Sequence, residues 1–139
     1  MKKDTNNKIL AIIYSDKEKF LLLKTNPKHM KTNIWYVVTG GVKKGENFKN
    51  AVIREIEEET KLKILNIKST DVSLDYEWPK DSAIFKHEKI FIVKVEHADP
   101  KITKWEHIKW KWLDKEDFLK QIDWYEENKE KLKDILDKI

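Results

Sequence analysis

Three glutamates, Glu55, Glu58 and Glu59, fall within five residues of one another, directly after Arg54. Upstream lies the loop Gly40-Gly-Val-Lys-Lys-Gly-Glu46, which contains all three glycines of the chain (Gly40, Gly41, Gly45). Glycine used nowhere else marks a loop with a special backbone path. Clustered carboxylates supply hard oxygen ligands, the donor set suited to Mg²⁺ or Mn²⁺ held against a phosphate chain. Such ions polarise phosphoryl oxygens, activate water and stabilise a leaving phosphate.

The carboxylates act together only if a helix gathers them. Asn47–Thr60 contains neither Pro nor Gly and is expected to be that helix. With Phe48 at zero phase, Glu55, Glu58 and Glu59 fall at about 340°, 280° and 20°, and Ala51 falls among them at about 300°. Val52, Ile53, Ile56 and Thr60 occupy about 40° to 140°, so the packing face is expected to adjoin the carboxylate face. Ala51 is expected to leave room for the glycine loop. Arg54, four residues before Glu58, can pair with it and orient the cluster against its own repulsion.

The remaining elements must form a scaffold for this helix. Ile9–Tyr14 and Phe20–Lys24 read as strands of a hairpin, followed by a polar loop from Thr25 to Asn33 and a short strand Trp35–Thr39. After the helix come strands at Lys63–Lys68, Thr70–Glu77, Glu88–Glu96 and Ile108–Leu113, with a turn at Trp78–Ser82 and a loop over 97–107. Two helices close the chain. One covers Lys115–Ile122, and the other follows a capping box of Asp123 and Glu126 and carries the stripe Leu132, Ile135, Leu136, Ile139. The order β-β-β-α-β-β-β-β-α-α predicts a mixed sheet with helices on its faces.

Composition narrows the class. The 139 residues make one domain, and 40% hydrophobic with 11% aromatic content suffices for a core. Without cysteine there is no thiolate ligand, thiol nucleophile or disulfide, which suits a reducing cytoplasm. The apolar run Ile9–Tyr14 is too short for a signal peptide and lacks its cleavage site, and no run approaches a membrane span. Net charge is +4, yet residues 1–50 hold eleven lysines against four acids, leaving the rest of the chain net acidic. Lys24, Lys28, Lys31, Lys43 and Lys44 flank the glycine loop and favour an anionic ligand there.

Gly40, five residues, Glu46, seven residues, then Arg54-Glu55-Ile56-x-Glu58-Glu59 resembles the signature of the Nudix hydrolases. The pattern departs from the family near its end, where Lys61 replaces a usual Gly that closes the helix in a left-handed conformation. The resemblance implies an α/β/α sandwich around a mixed sheet, and Mg²⁺- or Mn²⁺-dependent hydrolysis of a nucleoside diphosphate linked to another moiety. It implies Glu58 and Glu59 as metal ligands, Glu55 as ligand or base, and Arg54 as their orienting partner. Glu46 and the backbone of Gly40 and Gly41 shape the loop.

Two further segments resemble one branch. Trp35-Tyr-Val-Val-Thr-Gly40-Gly-Val and Trp105-Glu-His-Ile-Lys-Trp-Lys-Trp-Leu-Asp114 are similar to W-x-x-V-T-G-x-V and E-H-x-x-x-K-W-L-D of bacterial dATP pyrophosphohydrolases, which also act on dihydroneopterin triphosphate. On this resemblance Glu106 joins Glu55, Glu58 and Glu59 as a metal ligand, and either Glu55 or Glu106 is the general base. His107 is expected to make a structural hydrogen bond, and Trp112 to be core. Lys24 is a candidate phosphate contact, and Trp35 and Trp78 border loops where they can stack on a base or pterin ring. Thr39 stands where dinucleoside polyphosphate and RNA 5′-end hydrolases tend to carry Pro. Those two substrates, 8-oxo-dGTP sanitation and a non-catalytic nucleotide-binding module are the alternatives. The expected partner is a small nucleotide or pterin phosphate, with nucleic acid entering only as an RNA 5′ end.

Overall fold

The computed structural model describes residues 6–30, 33–124 and 128–139. Its centre is β1 (Asn7–Ser15), whose residues Ile9 to Ile13 are all at most 1% exposed. A strand apolar at every position needs cover on both faces. Alternation supplies two separate cores. Ile9, Ala11 and Ile13 join Val52 and Ile56 of α2 (Phe48–Glu59), while Leu10 and Ile12 join Phe118 of α3 (Lys115–Gln121) and Leu132, Ile135 and Leu136 of α4 (Lys129–Leu136). The result is the expected α/β/α sandwich.

The sheet is mixed. β1 runs parallel to β6 (Phe85–Val95) and antiparallel to β2 (Phe20–Thr25) and β4 (Val38–Gly41). β2 carries β3 (Trp35–Tyr36) and β7 (His107–Leu113), and β5 (Ile64–Glu77) lies outside β6. β1 meets β4 at its Lys8–Ala11 end, but its pairing with β2 is confined to Tyr14↔Phe20, so the sheet forks along β1. No helix among the described residues is long and apolar enough to cross a membrane.

Four boundary expectations are corrected. The two strands read at Lys63–Lys68 and Thr70–Glu77 are one long strand, β5, whose register shifts between Ser69 and Ser73. Asp71 sits there at φ 60°, and the Thr70 hydroxyl donates to Ile90 O, so a local side-chain bond bridges the break. The polar loop after β2 contains a short helix, α1 (Pro27–Met30). The last helix begins at Lys129; of the expected capping box, Glu126 lies outside the described residues, and Asp123 instead accepts the Trp35 backbone N–H at 2.8 Å. Ile139 falls beyond α4 and is 41% exposed.

Candidate active site

Helix α2 starts where Asn47 accepts the Asn50 N–H at 2.7 Å, an N-cap that sets the phase of everything after it. It ends with the Thr60 hydroxyl donating to Ile56 O and with Lys61 at φ 56°. The left-handed turn usually made by glycine is thus made by lysine. The buried residues of α2 are Ala51, Val52, Ile56 and Glu59, while Ile53 is 41% exposed. The buried arc therefore centres on Glu59 instead of lying beside it. This corrects the expected packing face and puts one carboxylate inside the protein.

Arg54 organises the outer part of the cluster. Its Nε and Nη2 donate to the two oxygens of Glu46 at 2.8 and 2.9 Å, its Nη1 to Glu55 at 2.9 Å and Glu58 at 3.4 Å, and Nη2 also to Gly41 O at 2.9 Å. Glu46 further accepts the Lys43 N–H, which fastens the loop to itself. The Arg54 hydrogen bonds hold the Glu46 carboxyl down to about 2 and raise the guanidinium's own pKa. Gly40 makes room for this carboxylate: a Cβ built on it would lie 2.0 Å from the Glu55 carboxylate, so a side chain there would push Glu55 out of its place. Ala51 is fully buried in the same core cluster as Val38 and Val42, which stand on either side of the loop's first two glycines.

The inner part is different. Glu59 is 2% exposed, and its Oε2 has no hydrogen-bond partner among the described residues. Its carboxyl is pushed far above the usual range by burial, and then by Glu55, Glu106 and Glu58. His107 Nδ1 stands 3.5 Å from Glu59 Oε1 and has no hydrogen bond among the described residues; burial lowers the ring's pKa to about 4, so it is neutral near pH 7. Ligand atoms of Glu59, Glu106 and His107 lie within 4.8 Å of one another. Burial, Glu55 and Glu58 raise the Glu106 pKa as well. Crowded acids around an orphaned oxygen are a destabilising arrangement that a divalent cation relieves, so the donor set fits such an ion.

Glu106 reaches this corner because its loop is tied down. Asn26 N donates to Glu106 O, Asn26 Nδ2 to Lys104 O, and the Thr103 hydroxyl to Glu58 O. Asn26 and Thr103 carried no signal in the sequence, since single polar loop residues have no pattern to betray them.

The structure sets three expected substrate residues apart from the carboxylates. Trp35 packs on the α3/α4 core, with Lys111 Nζ 4.2 Å and Lys24 Nζ 5.4 Å from its ring. Trp78 is 62% exposed and lines a groove with Tyr76, Asn128 and Lys131. Trp112 packs on the α2 core, as expected, and donates to Ala98 O.

Known proteins share these features. Residues 5–135 match the NUDIX domain family. The chain is 38% identical over 124 residues to an RNA pyrophosphohydrolase of Pelagibacter ubique, covering 75% of this chain and 77% of that protein. It superposes on a C. elegans Ap4A hydrolase with TM-score 0.69 and 27% identity, over 95% and 99% of the two chains. An E. coli dihydroneopterin triphosphate pyrophosphohydrolase shares the fold at TM-score 0.69 and 22% identity, over 86% and 87%. By its loop, its glutamate helix and this match, the chain belongs to the Nudix hydrolase family.

Proposed function

We propose that the protein hydrolyses a nucleoside triphosphate-like substrate, dATP or a related nucleotide or pterin triphosphate, releasing pyrophosphate. The observation that carries this is the buried Glu59 beside Glu106, its Oε2 without a hydrogen bond among the described residues, at the end of a helix whose Glu55 and Glu58 are held by Arg54. In this reading Glu55, Glu58, Glu59 and Glu106 hold Mg²⁺ or Mn²⁺. When bound, the ion supplies charge neutralisation at the phosphoryl oxygens and a more acidic water. Arg54 fixes the carboxylates in place, and Glu55 or Glu106 takes the proton from the attacking water. The Gly40 and Gly41 backbone shapes the phosphate loop, and Lys24, Trp35 and Trp78 are the proposed contacts to the rest of the substrate.

The Trp35–Val42 and Glu106–Asp114 segments support a small triphosphate. The Pelagibacter relative favours a second reading, removal of pyrophosphate from an RNA 5′ end. Incubation with Mg²⁺ and each of dATP, dihydroneopterin triphosphate, a dinucleoside tetraphosphate and a 5′-triphosphorylated RNA oligonucleotide separates them. Pyrophosphate from the first two at the highest kcat/KM is expected. A higher kcat/KM on RNA establishes the second reading, and tight binding without any turnover identifies a nucleotide-binding module instead. We place the activity in the cytoplasm.

A further inference from the structure

The sheet face opposite α2 holds a cavity that the carboxylate chemistry does not use. It measures about 540 Å³ and lies between β5, β6 and helix α4. That volume falls in the range of small-molecule sites. Strand register explains its floor. Ile12, Ile92 and Lys68 form one row across β1, β6 and β5, and Tyr14, Lys94 and Asn66 form the next row on the same face. Ile12 and Ile92 pack in the α3/α4 core, so both rows point to that side.

The register break in β5 makes one wall. From Ser69 to Ser73 the strand takes four steps where β6 takes two, from Phe91 to Lys89, so extra residues bulge out of the ladder. Thr70 is pinned to Ile90 O, and Asp71 and Val72 border the cavity. The other wall is Lys131, Asp134 and Ile135 on one face of α4, with Lys138 just past its end. The lining is therefore amphipathic. Val72, Ile92, Ile135 and the Tyr14 ring supply apolar contact, and Lys68, Lys94, Lys131 and Lys138 supply cations. Among the described residues none of these four lysines lies within 4 Å of a carboxylate. Against them stand two acids, Asp71 and Asp134, so the lining is net positive. Single surface lysines are ordinarily just solvated. Four of them around one concave apolar floor concentrate a field that favours an anion.

We propose that this cavity is a separate binding site for a nucleoside mono- or diphosphate. The phosphates lie among the four lysines, and the ring lies on the apolar floor beside Tyr14. Asp71 and Asp134 accept hydrogen bonds from the sugar hydroxyls, which a bare phosphate cannot donate. The sheet stands between this cavity and Glu59, so a nucleotide held here is bound without being hydrolysed. The inference goes beyond the pyrophosphohydrolase reading and does not rest on it.

The test titrates the protein with ADP in excess EDTA, which removes divalent ions from the carboxylate site, and follows the backbone amide resonances. Saturable shifts are expected at Lys68–Val72 and Lys131–Ile139, with a Kd of about 1 mM or tighter. Adenosine alone and inorganic phosphate alone are expected to bind more weakly. Lys68→Glu and Lys131→Glu reverse the charge of exposed side chains and are each expected to raise the Kd for ADP about tenfold or more. No saturable shift in the wild type, shifts confined to α2 and the glycine loop, or unchanged affinity in both folded variants overturns the proposal. Inorganic phosphate binding as tightly as ADP overturns the assignment to a nucleoside phosphate.

Discussion

The two halves of the glutamate cluster are built on opposite terms. On the outside, Glu46, Glu55 and Glu58 share one guanidinium, and every contact is a charge-assisted hydrogen bond. On the inside, Glu59 and Glu106 crowd each other beside a neutral His107, and an oxygen is left bare. The outer half stabilises the fold by itself. The inner half opposes it, and in the proposed reading a divalent cation offsets that cost. Family membership follows from the pattern of both halves, but the chemistry depends on keeping their difference.

The sharpest way to break this contrast is to neutralise each half in turn. Glu58→Gln is expected to reduce kcat by several orders of magnitude with the fold intact, since this side chain is 55% exposed. Wild-type turnover in it would remove Glu58 from the ligand set. Glu59→Gln is expected to lose activity on the same scale and, because the buried carboxyl is already held neutral without metal, to leave the metal-free stability within about 1 kcal/mol. It should also lose the rise in melting temperature that Mg²⁺ gives the wild type through mass action. A Glu59→Gln destabilised well beyond that would mean that the inner half is satisfied after all.

Arg54→Lys probes the outer half. Lysine keeps the charge but not the fork that grips Glu46 with two bonds while reaching Glu55. A ten- to hundredfold fall in kcat is expected, with a loss of about 2 kcal/mol by denaturant titration. Equal activity would show that any cation suffices.

Acid titration gives a smaller effect with a definite sign. The folded Glu46 carboxyl is depressed from 4.5 to about 2. Its ion pair therefore contributes stability in full above pH 4.5 and loses it as pH falls towards 2. The stability gap between wild type and Glu46→Gln should shrink steadily across that window. A constant gap would show that the Arg54 bond is not formed in solution. Smallest of all, Lys61→Gly relieves a left-handed lysine outside both halves and is expected to add roughly 0.5 kcal/mol without altering kcat.

Much of this site was legible because helical spacing is rigid. Arg54, Glu55, Glu58 and Glu59 had to share a region once the helix formed, and the Arg54–Glu58 pair is where spacing put it. The burial of Glu59 was not legible. Phase reasoning assigned the core to apolar residues, but Ile53 gave up its place to a carboxylate, a choice that favours function over packing. The corner formed by Glu106 could be anticipated only by resemblance, because it depends on contacts between the Lys101–Glu106 loop, Asn26 and the end of α2. Strands β1, β2 and β6 announced themselves by apolar content. β5 was split in two at Ser69, whereas the sheet absorbs the break between Ser69 and Ser73 as a register shift.

The contact between Gly40 and Glu55 can also be described in terms of entropy. A glutamate side chain that must be immobilised costs up to about 2 kcal/mol in rotamer freedom. Wedged between bare backbone on one side and Arg54 on the other, Glu55 has lost that freedom before any ligand arrives. The ordering is completed when the chain folds, so it is not subtracted from affinity at each turnover. A missing side chain at residue 40 is thus what holds the one at residue 55 still.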